Sequence, residues 1–157
     1  MNAAADHEAV ALAAATPRTK LDHALALAAR GFHIFPVRAK GDVYKSKSGK
    51  TKLSDGKVPA VDDWPNKSTR YEAQIRRWWK SHPNRNIGID TGKPLPDGRF
   101  PFAVDVDVKG EKQGEASLRK LIAEVGAGPM STWEQATPSG GMHLLFSTER
   151  PMKQGVD

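Results

Sequence analysis

The stretch Phe102-Ala103-Val104-Asp105-Val106-Asp107-Val108 sets two carboxylates two residues apart among β-forming residues. Alternation along a strand sends Asp105 and Asp107 to one face, beside Ala103, and Phe102, Val104, Val106 and Val108 to the other. Like charges held this close repel unless a cation lies between them, and carboxylate oxygen suits a hard divalent ion such as Mg²⁺ or Mn²⁺. A solvated face, or an edge strand guarded by acids against aggregation, would carry the same residues. A second stretch, Pro138-Ser139-Gly140-Gly141-Met142-His143-Leu144-Leu145-Phe146, follows the same logic. Met142, Leu144 and Phe146 fall on one face and His143 on the other. Gly140 and Gly141 permit positive φ and close backbone approach, and their amides could meet a phosphate. Taken alone, His143 reads equally as a hydrogen-bonded structural histidine, and the glycines as an ordinary turn.

If the two strands share a sheet, Asp105, Asp107 and His143 stand on one open face. That set fits two-metal phosphoryl transfer. The ions would bridge carboxylates and phosphates, one activating the attacking hydroxyl and the other supporting the leaving pyrophosphate, while His143 binds the triphosphate. The sequence has no Walker loop, His-x-x-x-His zinc pair, Gly-x-Ser-x-Gly elbow or Gly-x-Gly-x-x-Gly fingerprint.

Several elements must hold these residues in place. Leu21, Ala24, Leu25 and Ala28 repeat at helical spacing over Lys20–Arg30, and Gly31 supplies the stop. Phe32–Val37 reads as a strand. From Arg38 to Ser68 no periodicity survives, which predicts a long loop with a flexible tip at Lys45–Lys50, anchored near Gly56–Pro59 and by Trp64 packing on the core. Tyr71–Ser81 is a helix with Ile75, Trp78 and Trp79 as its buried stripe. Asn86–Asp90 is a short strand, Lys93–Arg99 a hairpin loop turning at Asp97-Gly98, and Gly114–Val125 a helix with Leu118, Leu121 and Ile122 toward the core. Ser131–Ala136 is extended, and Met142–Ser147 is a strand. Helices alternating with strands that each have one apolar face predict an α/β (α+β) domain, with helices on one side and the other side left open.

Charge distribution indicates the partner. The segment from Arg38 to Arg85 carries thirteen Lys or Arg against five Asp or Glu, while the whole chain is +6. A basic segment beside paired acids suits a polyanion handled through metal ions. Without cysteine, disulfides, thiolate zinc sites and cysteine nucleophiles are excluded. No apolar run is long enough to cross a membrane, and Ala9–Ala15 is preceded by Asp6, His7 and Glu8 rather than by the cations of a signal peptide. A cytoplasmic location follows by default. Residues 1–18 read as a mobile or frayed tail before a single domain from 19 to 157.

In their order the motifs resemble the N-terminal catalytic domain of bifunctional DNA primase/polymerases, the Prim-Pol branch of the archaeo-eukaryotic primase superfamily, common in phages and plasmids. The likeness runs from Ala24–Pro36 through Gly56-Lys57-Val58-Pro59, Trp64, Ile75–Trp79 and Asn86–Ile89. Val104–Asp107 resembles the metal-binding Asp-x-Asp motif, Ser139-Gly140-Gly141-Met142-His143 the motif that holds the incoming nucleotide, and Gly155-Val156-Asp157 the motif whose Asp completes the metal site. The resemblance implies a palm-like fold, related to the RNA-recognition motif, with a mixed sheet and a small accompanying subdomain. It implies template-directed nucleotidyl transfer with Mg²⁺ or Mn²⁺, using nucleoside triphosphates on a single-stranded DNA template. Lys57 becomes the best single candidate in the basic segment for triphosphate or template.

One departure qualifies the likeness. In the family the last Asp lies on a strand that continues, whereas this sequence stops at Asp157, and the helicase-like region of many relatives, as domain or partner protein, is missing from it. The expectation is therefore a C-terminally incomplete domain. An inactive nucleic-acid-binding fragment is one alternative. A nucleotide-sugar transferase also uses Asp-x-Asp with Mn²⁺, but its acceptor needs neither the basic segment nor the Gly-Gly-x-His strand.

Overall fold

A computed structural model describes residues 19–110, 112–126, 132–137 and 140–152. The expected tail over 1–18, and the candidate residues Ser139 and Asp157, lie outside the described residues.

The chain enters helix α1 (Lys20–Ala29) through a capping box in which Thr19 Oγ1 accepts from Asp22 N and the Asp22 carboxylate accepts from Thr19 N. Gly31 ends it at φ +95°, and a Cβ there would lie 2.2 Å from the Pro96 ring. Strand β1 (Ile34–Val37) is buried along its whole length and pairs antiparallel with β4 (Asn86–Ile89), Ile34 opposite Ile89. Helix α3 (Glu72–Ser81) turns Ile75 and Trp79 onto this pair, as its period predicts. Ala24, Ile34, Ile75 and Trp79 form the core, with Trp78 half-buried beside them. Trp79 Nε1 donates to the Arg85 carbonyl, so the largest core side chain leaves no polar atom unpaired. On the opposite face of β1, Phe35 lies over Gly88 and stacks on Trp64, ring centroids 4.3 Å apart. Trp64 opens the short helix α2 (Trp64–Lys67) and packs the connecting segment onto the core as expected. The end of β4 is pinned by the buried Asp90, which accepts from Ser68 Oγ at 2.5 Å and from Gly92 N at 3.0 Å.

The segment from Arg38 to Ser68 corrects the expectation of a long loop. It contains a hairpin, β2 (Lys40–Lys45) with β3 (Thr51–Asp55), closed by Ser46 N donating to the Lys50 carbonyl and Gly49 N to that of Ser46. Periodicity hides it because lysines occupy exposed positions on both of its faces, and a bulge between Lys40 and Val43 breaks the alternation.

The second half builds a separate sheet. Strand β5 (Phe100–Val106) pairs antiparallel with β7 (Met142–Thr148), and β7 with β6 (Trp133–Ala136), giving the order β5-β7-β6. Helix α4 (Gly114–Glu124) links β5 to β6 and packs on β5. The result is an α+β fold whose described strands are distributed over three small antiparallel sheets, where one mixed sheet was expected. The β-α-β-β order with its central third strand agrees with a palm of RNA-recognition-motif type. Lys93–Arg99 does turn at Asp97-Gly98, with Gly98 N donating to Leu95, but it joins two sheets rather than closing a hairpin. Leu118 and Ile122 of α4 are half-buried, whereas Leu121, expected inside, is 50 % exposed because it lies off the flank that meets β5.

Trp79→Ala should lower stability by about 3–5 kcal/mol through lost burial and cavity formation. Leu53→Ser on the exposed hairpin should change it by about 0.5 kcal/mol or less. Urea unfolding checks both, and equal effects would contradict this placement of the core.

Candidate active site

The register of β5 against β7 assembles the site. Asp105 lies directly opposite His143, with Gln135 of β6 next in the same row. The adjoining row on this face is Ala103, Leu145 and Trp133. The opposite face carries Val104 with Leu144 and Val106 with Met142, and there Val106 and Leu144 are buried. Both strands therefore follow the predicted alternation. Asp105 and His143 side chains remain 67 % and 40 % exposed, with His143 Nε2 3.5 Å from Asp105 Oδ1.

Asp107 is held differently from the sequence expectation. The ladder ends at Val106, because Gly114 N at the start of α4 takes the Asp107 carbonyl at 3.1 Å and turns the chain aside. A Cβ at Gly114 would lie 2.5 Å from that carbonyl oxygen, so only glycine lets α4 start this close. The Asp107 carboxylate accepts from Lys109 N at 2.9 Å and from Lys112 Nζ at 2.8 Å. These contacts, the Lys112 hydrogen bond foremost, hold the Asp107 carboxyl below its ordinary pKa, and Asp107 in turn raises that of Lys112.

The glycines serve packing first. A Cβ on Gly141 would lie 2.3 Å from the Val106 carbonyl oxygen, so β7 reaches the end of β5 only because residue 141 lacks one. Gly140, at φ +87°, carries the turn, its amide bonded to the Thr137 carbonyl. An open groove of about 450 Å³ beside it is lined by Val108, Gln113, Arg119 and Gly140.

Lys57 does not join this cluster. It is exposed at the base of the β2–β3 hairpin, its amide bonded to Asp55, and among the described residues no ion pair links it to Asp105 or Asp107. Among the described residues no three His, Asp, Glu or Cys side chains form a metal-binding group. The sequence reading does not single out Lys112, which pairs with Asp107, or Gln135, which stands beside His143. Gln135 becomes visible only once β6 is registered on β7, whereas a lysine five residues beyond an Asp-x-Asp strand was a signal in plain view.

The family model for the bifunctional DNA primase/polymerase N-terminal domain, Prim-Pol, matches residues 24–156. No curated protein and no solved structure matches the chain.

Lys112→Ala should raise the midpoint at which Asp107 titrates, toward the ordinary carboxylate range. The pair persists while Asp107 is charged and is lost as pH falls through its lowered pKa. Carboxyl-carbon NMR titration measures this, and an unmoved midpoint would contradict the pairing.

Proposed function

Since the chain belongs to the Prim-Pol family of bifunctional DNA primase/polymerases, we propose that it is a catalytic domain for template-directed nucleotidyl transfer, with Asp105, Asp107 and His143 as its centre. The observation that carries this reading is the direct pairing of Asp105 with His143 on an open face, two residues before Asp107. The donor set suits a hard divalent cation such as Mg²⁺ or Mn²⁺, because both acids offer carboxylate oxygen and Asp105 is largely exposed. Asp105 and Asp107 would hold it, and Asp157 would complete the set. The cation, when bound, supplies neutralisation of phosphate charge and a lowered pKa for the attacking hydroxyl.

The chain's own residues would do the rest. His143 lies beside the acid and can donate from its ring to a triphosphate oxygen. Ser139, Gly140 and Gly141 would hold the triphosphate. Lys112 pairs with one oxygen of Asp107 and favours its charged form before any cation arrives. Lys57, remote from the acids, would serve template rather than triphosphate. The substrates are nucleoside triphosphates and a single-stranded DNA template, and a helicase domain or protein is the natural companion of such an activity.

One observation favours a second reading, a nucleic-acid-binding domain without synthesis. A lysine ammonium already occupies one oxygen of Asp107, where a cation would have to bind. Extension of a labelled primer on single-stranded DNA with Mn²⁺ separates the two. The first reading expects product, and about 100-fold or greater loss in Asp105→Ala, the equivalent of removing a few kcal/mol of transition-state stabilisation. Template binding with no product would establish the second reading. Synthesis that survives Asp105→Ala would contradict the site.

A further inference from the structure

The hairpin of β2 and β3 is used by neither the helical core nor the acid–histidine face. We propose that it is a duplex-binding arm: a basic β-ribbon that lies in a groove of double-stranded DNA, lysines on the flanking phosphates and the Val43–Leu53 pair against the groove. The inference rests on the polymerase reading only in that such an enzyme generates a primer–template duplex.

The two faces of the ribbon differ. The inner face is anchored. Ser54 is buried and accepts from Gly56 N, Tyr44 is half-buried with the Arg38 guanidinium 5.3 Å from its ring centre, and Asp42 accepts from Ala39 N. The outer face is bare. Val43 and Leu53 lie directly opposite each other and are 64 % and 71 % exposed. An apolar cross-strand pair normally stabilises a sheet by being covered, and nothing in the described chain covers this one.

Charge selects the occupant. From Arg38 to Asp55 there are six Lys or Arg and two Asp. Both acids are engaged with backbone amides, Asp42 with Ala39 and Asp55 with Lys57. Among the described residues Lys40, Lys45, Lys47, Lys50 and Lys52 form no salt bridge. A protein partner is disfavoured, because lysine is depleted where interfaces bury their apolar centres. A single strand is disfavoured too, because it binds by stacking bases on aromatic side chains, and the ribbon's one aromatic faces inward. A duplex groove fits. The major groove admits a two-stranded ribbon, and aliphatic side chains are common at groove contacts. Six residues at about 3.3 Å each reach roughly 20 Å, enough to meet several phosphates.

Two arginines lie at the root of the ribbon. The Nε atoms of Arg38 and Arg85 are buried and have no partner. Burial, then the charge of Arg38, lowers the Arg85 pKa, and the Asp42 carboxylate opposes the shift.

The test is fluorescence anisotropy with a labelled 20-base-pair DNA duplex and the matching single strand, across a series of KCl concentrations, without metal or nucleotide. The variants K45A/K47A/K50A/K52A and V43S/L53S alter exposed side chains only, and thermal unfolding verifies that they fold. The lysine variant should bind duplex at least about 10-fold more weakly and lower the slope of log K against log salt by about 3. V43S/L53S should weaken duplex binding several-fold with the slope unchanged. Unchanged duplex binding in the lysine variant, or an equal loss for the single strand, overturns the proposal. Because no synthesis is measured, failure here leaves the Asp105 chemistry standing, and failure of primer extension leaves the arm standing.

Discussion

The candidate site depends on one close approach, the backbone of Gly141 against the carbonyl of Val106. A Cβ at residue 141 would stand 2.3 Å from that oxygen. Without one, β7 pairs with β5 to its last residue, Val106 opposite Met142, and the register of every row behind it is fixed. Strand periodicity makes this a strict constraint. A slip of one residue would turn His143 into the apolar layer and put Met142 or Leu144 beside Asp105. Gly114 imposes a matching constraint from the other side, where α4 begins on the backbone of Asp107. Two glycines thus fix the ends of β5 and β7 by permitting backbone contact.

Electrostatics then distinguishes the two acids. Asp105 stays on the ladder, exposed and next to an imidazole. Asp107 stands one residue past it, tied to Lys109 N and Lys112 Nζ. The Lys112 hydrogen bond favours the charged form of Asp107 and occupies one of its oxygens. The Lys112 side chain is 68 % exposed, so giving up this pair costs little.

Much of this was legible in the sequence wherever burial wrote a period. The alternation in Phe102–Val106 and Met142–Phe146 is the alternation of the sheet, and the Ile75, Trp78, Trp79 stripe is the core face of α3. The motif order identified the family over most of the chain. What failed lacked such a signature. The β2–β3 hairpin is stabilised by backbone pairing and a few inner contacts, so lysines fill its exposed positions and the pattern reads as loop. The end of β5 at Val106 is set by Gly114, eight residues downstream, and no local propensity in Asp107-Val108 reveals it. The Asp107–Lys112 pair depends on that same turn.

The central claim is that Asp105, Asp107 and His143 form one cation- and phosphate-binding face. Titrating Mn²⁺ into the ¹⁵N-labelled chain tests it directly, since a paramagnetic ion broadens only the amides close to where it binds. The account predicts broadening centred on Asp105, Asp107 and His143 at low Mn²⁺, absent in Asp105→Ala, while the core amides of β1 and α3 stay sharp. Broadening that begins elsewhere, or that is unchanged in Asp105→Ala, would contradict it.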